Sequence, residues 1–240
     1  KGSRGDPGNY RPVSLTLVPG KLVGTIVKNR IVRGIDEHNL LGKSRHSFCP
    51  GKSCLTNLVE GVNKYVDKGN PVGRVYLDFQ KTFNKVPCQR LLSKVSYHGI
   101  RGKVLSWTDN WLKDRQQRIG INGQFSEWRE VTYGVPQRSI LGPILFNLFI
   151  NDLEKGVNSE AATFADDTKL LKIVKTKADS EELQKDPTKL GDWARRWQMN
   201  FNIDKCKVMQ IGKNNPNTTY KKMGTNLAIT TGERSWSHCG

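Results

Sequence analysis

The sequence predicts a mixed α+β fold, and three kinds of pattern support that prediction. Short apolar, β-prone runs lie around Asp78 and on both sides of the Asp166-Asp167 pair. Longer segments repeat apolar residues at helical spacing, as in residues 22–31 and 179–200. The Asn122-Gly123 dipeptide is a strong hairpin-turn signal. At 240 residues the chain is long enough to build one large domain or two small ones.

The first third of the chain predicts helices that lead into a strand. Apolar residues 22, 23, 26, 27 and 31 indicate one helix, and Ser53–Tyr65 indicates a second. Residues 67–73 are a turn by composition, and Arg74–Phe79 is the short apolar strand that follows. Asp78 interrupts this run near its end. Because a buried carboxylate without a partner is costly, Asp78 is predicted to need a cation.

The central segments predict helices, a hairpin and a buried helix. Helices are expected at Leu91–Tyr97 and Lys103–Leu112, and strands at 117–121 and 128–133 flank the Asn122-Gly123 turn. After the loop of residues 134–139, a buried helix should run toward Leu153. Its Pro143 falls in the first turn, where a missing N–H is harmless.

The aspartate pair and the last helix complete the predicted elements. Apolar arms on both sides predict that Asp166 and Asp167 occupy the tight turn of a hairpin. Since Asp is a common turn residue, a solvated hairpin tip is the alternative. A helix is predicted over 179–200, and Pro187 should break or kink it at a cost of roughly 3 kcal/mol. Residues 212–219 are predicted to form a loop.

The charge of the chain favours a polyanionic partner. Lys and Arg number 39 against 22 Asp and Glu, which gives a net charge of +17. Nucleic acid is the leading partner on this basis. A membrane surface is the alternative, but no long amphipathic segment has a basic face, and no apolar run approaches the roughly 20 residues that span a bilayer. No membrane partner is therefore expected.

The termini and cysteines indicate an intracellular protein, in the cytoplasm and nucleus. The first residues carry no Met and no apolar signal core, so the chain resembles an internal fragment of a longer protein. Five irregularly spaced cysteines favour a reducing compartment over a disulfide framework. Zinc is an alternative for His46, Cys49 and Cys54, but a second paired ligand cluster is missing.

Two acidic sites in a basic protein indicate a metal centre. Asp78 and the Asp166-Asp167 pair are each predicted next to a strand, and together they fit a centre for two divalent cations about 3.5–4 Å apart. Carboxylate ligands without a His or Cys cluster favour Mg²⁺, with Mn²⁺ as a possible substitute. A magnesium-dependent nuclease would need the same carboxylates.

The order of the motifs adds a family resemblance. The chain, over about residues 9–233, resembles the reverse transcriptases of non-LTR, LINE-type retrotransposons, nearest to the jockey and chicken-repeat group. The matching segments are the opening motif 9–15, the finger segment 47–53, the first catalytic motif 76–84, the substrate-binding motif 134–143, the second catalytic motif Phe-Ala-Asp-Asp at 164–167, and the following motif 197–206.

The resemblance implies a right-hand polymerase with fingers and palm, the antiparallel palm sheet backed by helices and the thumb largely missing. Residues 1–73 would be the partial fingers and the start of the palm, and 74–211 the palm with its catalytic motifs. Residues 212–240 would be a truncated connection toward the thumb with a divergent end. The implied activity is RNA-directed DNA polymerisation by two metal ions, with an RNA template, a DNA primer and deoxynucleoside triphosphates as partners. Oligomeric state is left open.

The resemblance also implies roles for single residues. Asp78 and Asp166 would hold both metals, and Asp167 would complete or support the site. Phe83 matches the aromatic gate that excludes a 2′-hydroxyl, and Gln137 would approach the nucleotide sugar. From the residues alone, Phe83 is equally a core aromatic and Gln137 an ordinary polar loop residue.

Two lysines complete the implied nucleotide site. Lys52 would neutralise the triphosphate, and Lys205 would donate a proton to the leaving pyrophosphate. In a chain this basic, both are also explained as solvated surface charges.

Several residues depart from the family pattern and indicate a decayed copy. Arg138 replaces the glycine of a Pro-Gln-Gly turn, where the backbone needs a glycine-like conformation, and Asn84 replaces an aspartate. Pro187, Ser47 and the segment after Arg234 also differ. A copy that retains only nucleic-acid binding is therefore the alternative function, since phosphate contacts require no catalytic site. An RNA-dependent RNA polymerase is a further alternative, against which Phe83 argues.

Overall fold

A five-stranded sheet is the framework of the computed structural model, which describes residues 5–6, 10–41, 65, 68–212, 214–222 and 224–230. The helices in these ranges are α1 (Val18–Glu37), α2 (Thr82–Lys85), α3 (Cys88–Tyr97), α4 (Gly102–Leu112), α5 (Gly142–Phe149) and α6 (Lys177–Arg196). The strands are β1 (Val72–Leu77), β2 (Gln116–Gln117), β3 (Gly120–Ile121), β4 (Gln124–Phe125), β5 (Arg129–Glu130), β6 (Glu160–Phe164), β7 (Asp167–Ile173), β8 (Lys207–Ile211), β9 (Lys221–Lys222), β10 (Thr225–Asn226) and β11 (Ala228–Thr230).

Strand β1 lies at the centre of the sheet, whose order is β11-β8-β1-β7-β6. Strands β7 and β8 flank β1 in antiparallel register, β6 is antiparallel to β7, and β11 is parallel to β8. Val72, Val75 and Leu77 are buried, as expected of a strand at the centre of a sheet, and Arg74 between them is buried as well. It begins two residues before the predicted Arg74 and ends at Leu77, so Asp78 lies just beyond it.

Helix α6 packs on the sheet and starts at a capping box. Thr176 accepts a hydrogen bond from the Asp179 backbone, and the Asp179 carboxylate accepts one from the Thr176 backbone. Leu183 and Leu190 are fully buried on the face of α6 that packs on the sheet. A Cβ added to Gly73 would lie 2.7 Å from Cδ2 of Leu183, so α6 and β1 approach closely at a position where a side chain would not fit.

Pro187 does not break α6, which contradicts the stronger form of the sequence prediction. The proline is buried within a helix whose neighbours supply compensating contacts. The Lys222 ammonium donates a hydrogen bond to the Pro187 carbonyl, and Asp186 accepts several from the segment before β6. Tertiary contacts therefore outweigh the intrinsic helix penalty of proline at this position.

The described chain forms two compact units. One comprises residues 1–40 and 81–149, and the other comprises residues 41–80 and 150–240. The five-stranded sheet and α6 belong to the second unit. The domain boundaries predicted at residues 73 and 211 separate the fingers, palm and thumb connection of a whole polymerase. They stay a prediction.

The first unit contains α1 and the helices α3, α4 and α5, which lie close to the predicted positions. Its core includes Leu91 and Val95 of α3 with Leu145 and Phe146 of α5. Pro143 is in the first turn of α5, as predicted, but this helix ends at Phe149 rather than near Leu153.

The hairpin predicted at Asn122-Gly123 is confirmed. The two residues have φ values of 50° and 81°, which a primed hairpin turn requires, and they join β3 to β4. The strand predicted at 128–133 does not follow this turn directly. The part of it that forms a strand, β5, pairs with β2 instead. The loop predicted at 212–219 carries no strand or helix in its described residues.

Part of the predicted first third cannot be compared with the fold. The helix predicted at Ser53–Tyr65 lies outside the described residues except for Tyr65. None of the helices in the described ranges is both long and apolar enough to cross a bilayer.

Candidate active site

The register of the sheet brings the predicted aspartates to one edge. Leu77 of β1 is the partner of Thr168 on antiparallel β7. Asp78 follows Leu77 and Asp167 precedes Thr168, so the two carboxylates leave adjacent strands at the same end. Asp166 is one residue farther into the turn. Residues nearly 90 positions apart in the sequence thus lie at one edge of the sheet.

The hairpin that carries the pair has a two-residue turn. Phe164 is the strand partner of Asp167, so Ala165 and Asp166 form the turn and Asp167 is the first residue of β7. The prediction that both aspartates occupy the turn is therefore wrong for Asp167. Ala165 has a φ of 53°, a left-handed conformation that is uncommon for alanine. The two carboxylates consequently differ, since one is on a tight turn and the other is on a strand.

A second chain segment is fastened beside Asp78. The Asn202 backbone N–H donates to the Asp78 carbonyl at 2.8 Å, and the Gln80 N–H donates to the Asn200 carbonyl at 2.8 Å. The rings of Phe79 and Phe201 stack with centroids 4.1 Å apart. These contacts hold the stretch after α6 alongside the end of β1. The motif at 197–206, read in the sequence only as a resemblance, thereby gains a structural role.

Lys205 reaches the aspartates because a 3-10 turn, Ile203–Lys205, follows this fastened segment. Its Nζ lies 2.6 Å from Oδ2 of Asp78, whose side chain is only 14% exposed. Burial raises the pKa of Asp78, the hydrogen bond and charge of Lys205 lower it, and the net shift is upward. The same hydrogen bond raises the pKa of Lys205. Lys205 is therefore a protonated partner of the site rather than an unattached surface charge.

Desolvation and repulsion from neighbouring carboxylates both act on Asp167. Although this residue is exposed, the atoms around its carboxyl desolvate it and raise its pKa to about 6, and the charges of Asp166 and Asp78 act in the same direction. Lys169 and Lys205 oppose the shift. Lys169 was missed in the sequence, although the two-residue period of a strand places it on the same face of β7 as Asp167. In the described part of the chain, Lys169 and Lys205 offset part of the negative charge of the site.

The donor chemistry of this edge suits hard divalent cations, because the ligand oxygens come from carboxylates alone. In the described part of the chain, no group of three acidic, histidine or cysteine side chains is arranged to hold a metal ion as it stands. Asp78 instead pairs with Lys205. A bound cation would offset both the desolvation that raises the pKa of Asp167 and the smaller repulsion from Asp166 and Asp78.

Phe83, Asn84 and Gln137 form a separate cluster in the first unit. The half-buried Phe83 ring packs against Phe146 with centroids 4.7 Å apart. Gln137 Nε2 donates a hydrogen bond to Asn84 Oδ1 at 2.7 Å. Phe83 is therefore in part the core aromatic that the residue alone indicated, and Gln137 is held by a neighbour. Asn84 was recognised in the sequence only as a departure from the family pattern.

Arg138 adopts the backbone conformation expected of the glycine it replaces. Its φ is 59°, within the left-handed region, and the residue is exposed. The sequence-based expectation of a glycine-like conformation is confirmed. Lys52, the remaining predicted site residue, lies outside the described residues.

Comparison with known proteins identifies the class. Residues 1–227 match the family model "Reverse transcriptase (RNA-dependent DNA polymerase)", and the chain belongs to that family. The predicted LINE-type resemblance is confirmed by relatives from mobile elements. The chain is similar to the RNA-directed DNA polymerase from mobile element jockey of Drosophila melanogaster, at 28% identity over 214 residues.

That alignment covers 84% of this chain and 23% of the relative, so the chain spans less than a quarter of the relative's length. Reverse transcriptases, like other polymerases, generally use divalent metal ions.

Solved structures support the fold. The apo telomerase of Candida tropicalis matches with a TM-score of 0.58 and 8% identity, covering 85% of this chain and 39% of that one. Telomerase from Candida albicans, in complex with a fragment of telomeric RNA, matches with a TM-score of 0.57 and 11% identity, covering 86% and 36%. These likenesses confirm the predicted polymerase fingers and palm fold.

Proposed function

We propose that this chain is the polymerase portion of a retrotransposon reverse transcriptase and extends a DNA primer on an RNA template with deoxynucleoside triphosphates. The observation that carries the proposal is the convergence of Asp78, Asp166 and Asp167 at one sheet edge with Lys205 bonded to Asp78. In a whole polymerase, residues 1–73 would contribute to the fingers and 74–211 would form the palm. The basic charge of the chain, +17, suits binding to template and primer phosphates.

The carboxylates would hold two Mg²⁺ ions, with Asp78 and Asp166 as the shared ligands and Asp167 completing or supporting the site. Such ions, when bound, supply activation of the attacking hydroxyl and neutralisation of the leaving group. This assignment is supported by the all-oxygen donor set and by the raised pKa of Asp167, which desolvation causes first and the charges of Asp166 and Asp78 increase.

Lys205 would hold a proton close to the leaving pyrophosphate. It is protonated over the physiological range because the hydrogen bond to Asp78 raises its pKa, and its side chain is 65% exposed and so is able to change partner. With Asp78 occupied as a metal ligand, the Lys205 ammonium would be available to donate to a phosphate oxygen. Lys52 would contribute a second positive charge to the triphosphate.

Phe83 and Gln137 would select the sugar of the incoming nucleotide. The packing of Phe83 on Phe146 fixes the ring, which a steric gate against a 2′-hydroxyl requires. Gln137 would contact the sugar through the carboxamide atoms that its bond to Asn84 leaves available.

Primer extension on an RNA template with Mg²⁺ tests the proposal. We expect incorporation of deoxynucleotides in preference to ribonucleotides, and loss of incorporation in Asp166→Asn. Asp192→Asn, which removes an exposed carboxylate of α6, is the matched control and should retain extension. Ribonucleotide incorporation at equal efficiency would instead indicate an RNA polymerase.

Retention of nucleic-acid binding alone is the second candidate function, and Arg138 is the observation that favours it. An exposed arginine with a φ of 59° stands in the loop that would approach the nucleotide. Salt-sensitive binding of a primer-template without extension, unchanged in Asp166→Asn, would support this candidate and reject catalysis.

A further inference from the structure

We infer that Asn84 is a positioning residue that orients the Gln137 carboxamide and thereby sets discrimination between deoxyribose and ribose. The inference deepens the proposed function and rests on it. The structural basis is the hydrogen bond of 2.7 Å from Gln137 Nε2 to Asn84 Oδ1, between two half-buried side chains. This hydrogen bond uses one N–H of the Gln137 carboxamide, so the other N–H and Oε1 remain available to a ligand.

The backbones on either side of this hydrogen bond are locked together. The Val135 N–H donates to the Phe83 carbonyl at 2.7 Å, and the Gly134 N–H donates to the Val86 carbonyl at 2.8 Å. Gly134 has a φ of 84°, and a Cβ there would lie 2.7 Å from the Phe83 carbonyl oxygen. The loop that carries Gln137 is therefore in direct contact with the segment that carries Asn84. The Asn84 and Gln137 side chains therefore extend from two backbone segments that hydrogen bonds hold together.

Phe83 lies next to Asn84 on the same backbone segment. Both belong to α2, the short helix Thr82–Lys85, and the Phe83 ring is held against Phe146. A change in the tie between Asn84 and Gln137 thus leaves the aromatic ring in place while it releases the carboxamide. This separation makes the contribution of Asn84 measurable apart from that of Phe83.

The orientation of the carboxamide matters because its two ends differ. The bond to Asn84 uses one of the two Nε2 hydrogens, and it turns Oε1 and the second N–H away from Asn84. Within the described residues, no other hydrogen bond of the Gln137 side chain is present. A sugar hydroxyl would therefore meet a carboxamide with a defined acceptor and a defined donor. Without Asn84, the amide is free to rotate and to present either end.

The chemistry of position 84 gives opposite expectations for two near-isosteric variants. A carboxylate at this position is an obligatory acceptor at neutral pH, so Asn84→Asp should keep the Gln137 donor in place and retain discrimination. Asn84→Leu has no acceptor and should lose it. If the functional orientation instead placed Gln137 Oε1 against an Asn84 donor, Asn84→Asp would be the more damaged of the two.

The experiment measures kcat and KM for a deoxynucleotide and for the matching ribonucleotide with the full chain on a primer-template. We expect Asn84→Leu to reduce the preference for deoxyribose about three- to tenfold, chiefly through KM, as the loss of one neutral hydrogen bond implies. Asn84→Asp should remain within about twofold of the wild type. Asn226→Leu, an exposed asparagine of β10, is the matched control and should change nothing.

A double-mutant cycle tests whether Asn84 acts through Gln137. In a Gln137→Ala background, Asn84→Leu should cause no further loss, because the group it positions is gone. Additive losses, or an unchanged sugar preference in Asn84→Leu, would overturn the inference while leaving the proposed polymerase intact.

A binding measurement separates the two proposals if the wild type does not extend a primer. Affinity of dNTP and rNTP for a complex with a dideoxy-terminated primer is then compared across the same variants. Absence of extension with the expected binding pattern rejects the catalytic proposal but supports the role of Asn84. Absence of sugar-dependent nucleotide binding in the wild type rejects both.

Discussion

The sheet edge with the aspartates and the loop with Gln137 differ in how they have retained the family pattern. At the sheet edge, Asp78, Asp166 and Asp167 are all present, and Lys205 compensates part of their charge. In the loop, Arg138 replaces a glycine at a φ of 59°, and Gln137 bonds to an asparagine where the family has an aspartate. The comparison separates the residues proposed to hold the metal ions, which match the family pattern, from the neighbours of Gln137, two of which depart from it.

The largest expected effect is the loss of extension in Asp166→Asn. Removal of one shared metal ligand should lower the rate by about a thousandfold or more, because charge neutralisation at the reacting phosphate fails. The free energy of unfolding should fall little or should rise, since one of three mutually repelling carboxylates is removed. Steady-state extension and urea unfolding measure the two quantities. Substantial residual extension would mean that the retained carboxylates are not the catalytic centre.

A buried carboxylate in the same unit should behave in the opposite way. Asp186 is fully buried and accepts hydrogen bonds from Ser159 Oγ at 2.6 Å, from the Ser159 N–H at 2.8 Å and from the Asn158 N–H at 3.1 Å. Burial raises the pKa of Asp186, but these hydrogen bonds outweigh it and the pKa is lowered. Asp186→Asn should reduce the free energy of unfolding by about 3 kcal/mol, because an amide places N–H groups against donors.

The control for Asp186 is again Asp192→Asn, whose exposed ion pair should contribute less than about 1 kcal/mol. Equal stability of the Asp186 and Asp192 variants would show that the buried network does not anchor the segment before β6. Together with Asp166→Asn, these variants distinguish carboxylates that stabilise the folded state from carboxylates that the proposed activity requires.

The loop is tested by Arg138→Gly. Glycine relieves a left-handed conformation that costs an ordinary residue about 1 kcal/mol, so the free energy of unfolding should rise or stay equal once the entropy of glycine is included. Extension should increase severalfold if the arginine side chain obstructs the nucleotide. Arg101→Gly is the matched control, because Arg101 is exposed and has a φ of −131°. A fall in activity in Arg138→Gly would instead identify the arginine as a nucleotide contact.

The smallest expected effect concerns Lys222, a buried cation outside the site. Burial lowers its pKa from 10.5 to about 8. The charged form is therefore disfavoured in the folded state, so the cost is full below pH 8 and declines as the pH rises from 8 toward 10.5. The wild type should gain stability relative to Lys222→Met by about 1 kcal/mol between pH 8 and pH 9.

Urea unfolding at several pH values measures this difference, and Lys221→Met, an exposed neighbour, should show no such trend. A wild type that shows no gain relative to Lys222→Met over this range would mean that the pKa of Lys222 is not lowered, because the Phe201 ring, 4.1 Å from the ammonium, offsets the cost of burial.

The sequence by itself determined the class of the protein, most of the helices and the identity of the aspartates. Local patterns were sufficient because helical periodicity, the Asn122-Gly123 turn and the apolar arms of the hairpin act over a few residues. The ordered motifs supplied the family, and the positive φ of Arg138 followed from the glycine it replaces.

The tertiary structure alone decided how those residues are combined. The pairing of Leu77 with Thr168 sets which carboxylates meet, and the contacts between residues 78–80 and 200–202 bring Lys205 to Asp78. Pro187 stays within a helix because its surroundings outweigh its local penalty, which no local pattern records. The hydrogen bond between Asn84 and Gln137 joins residues 53 positions apart. Such contacts depend on register and packing, and these are properties of the folded chain.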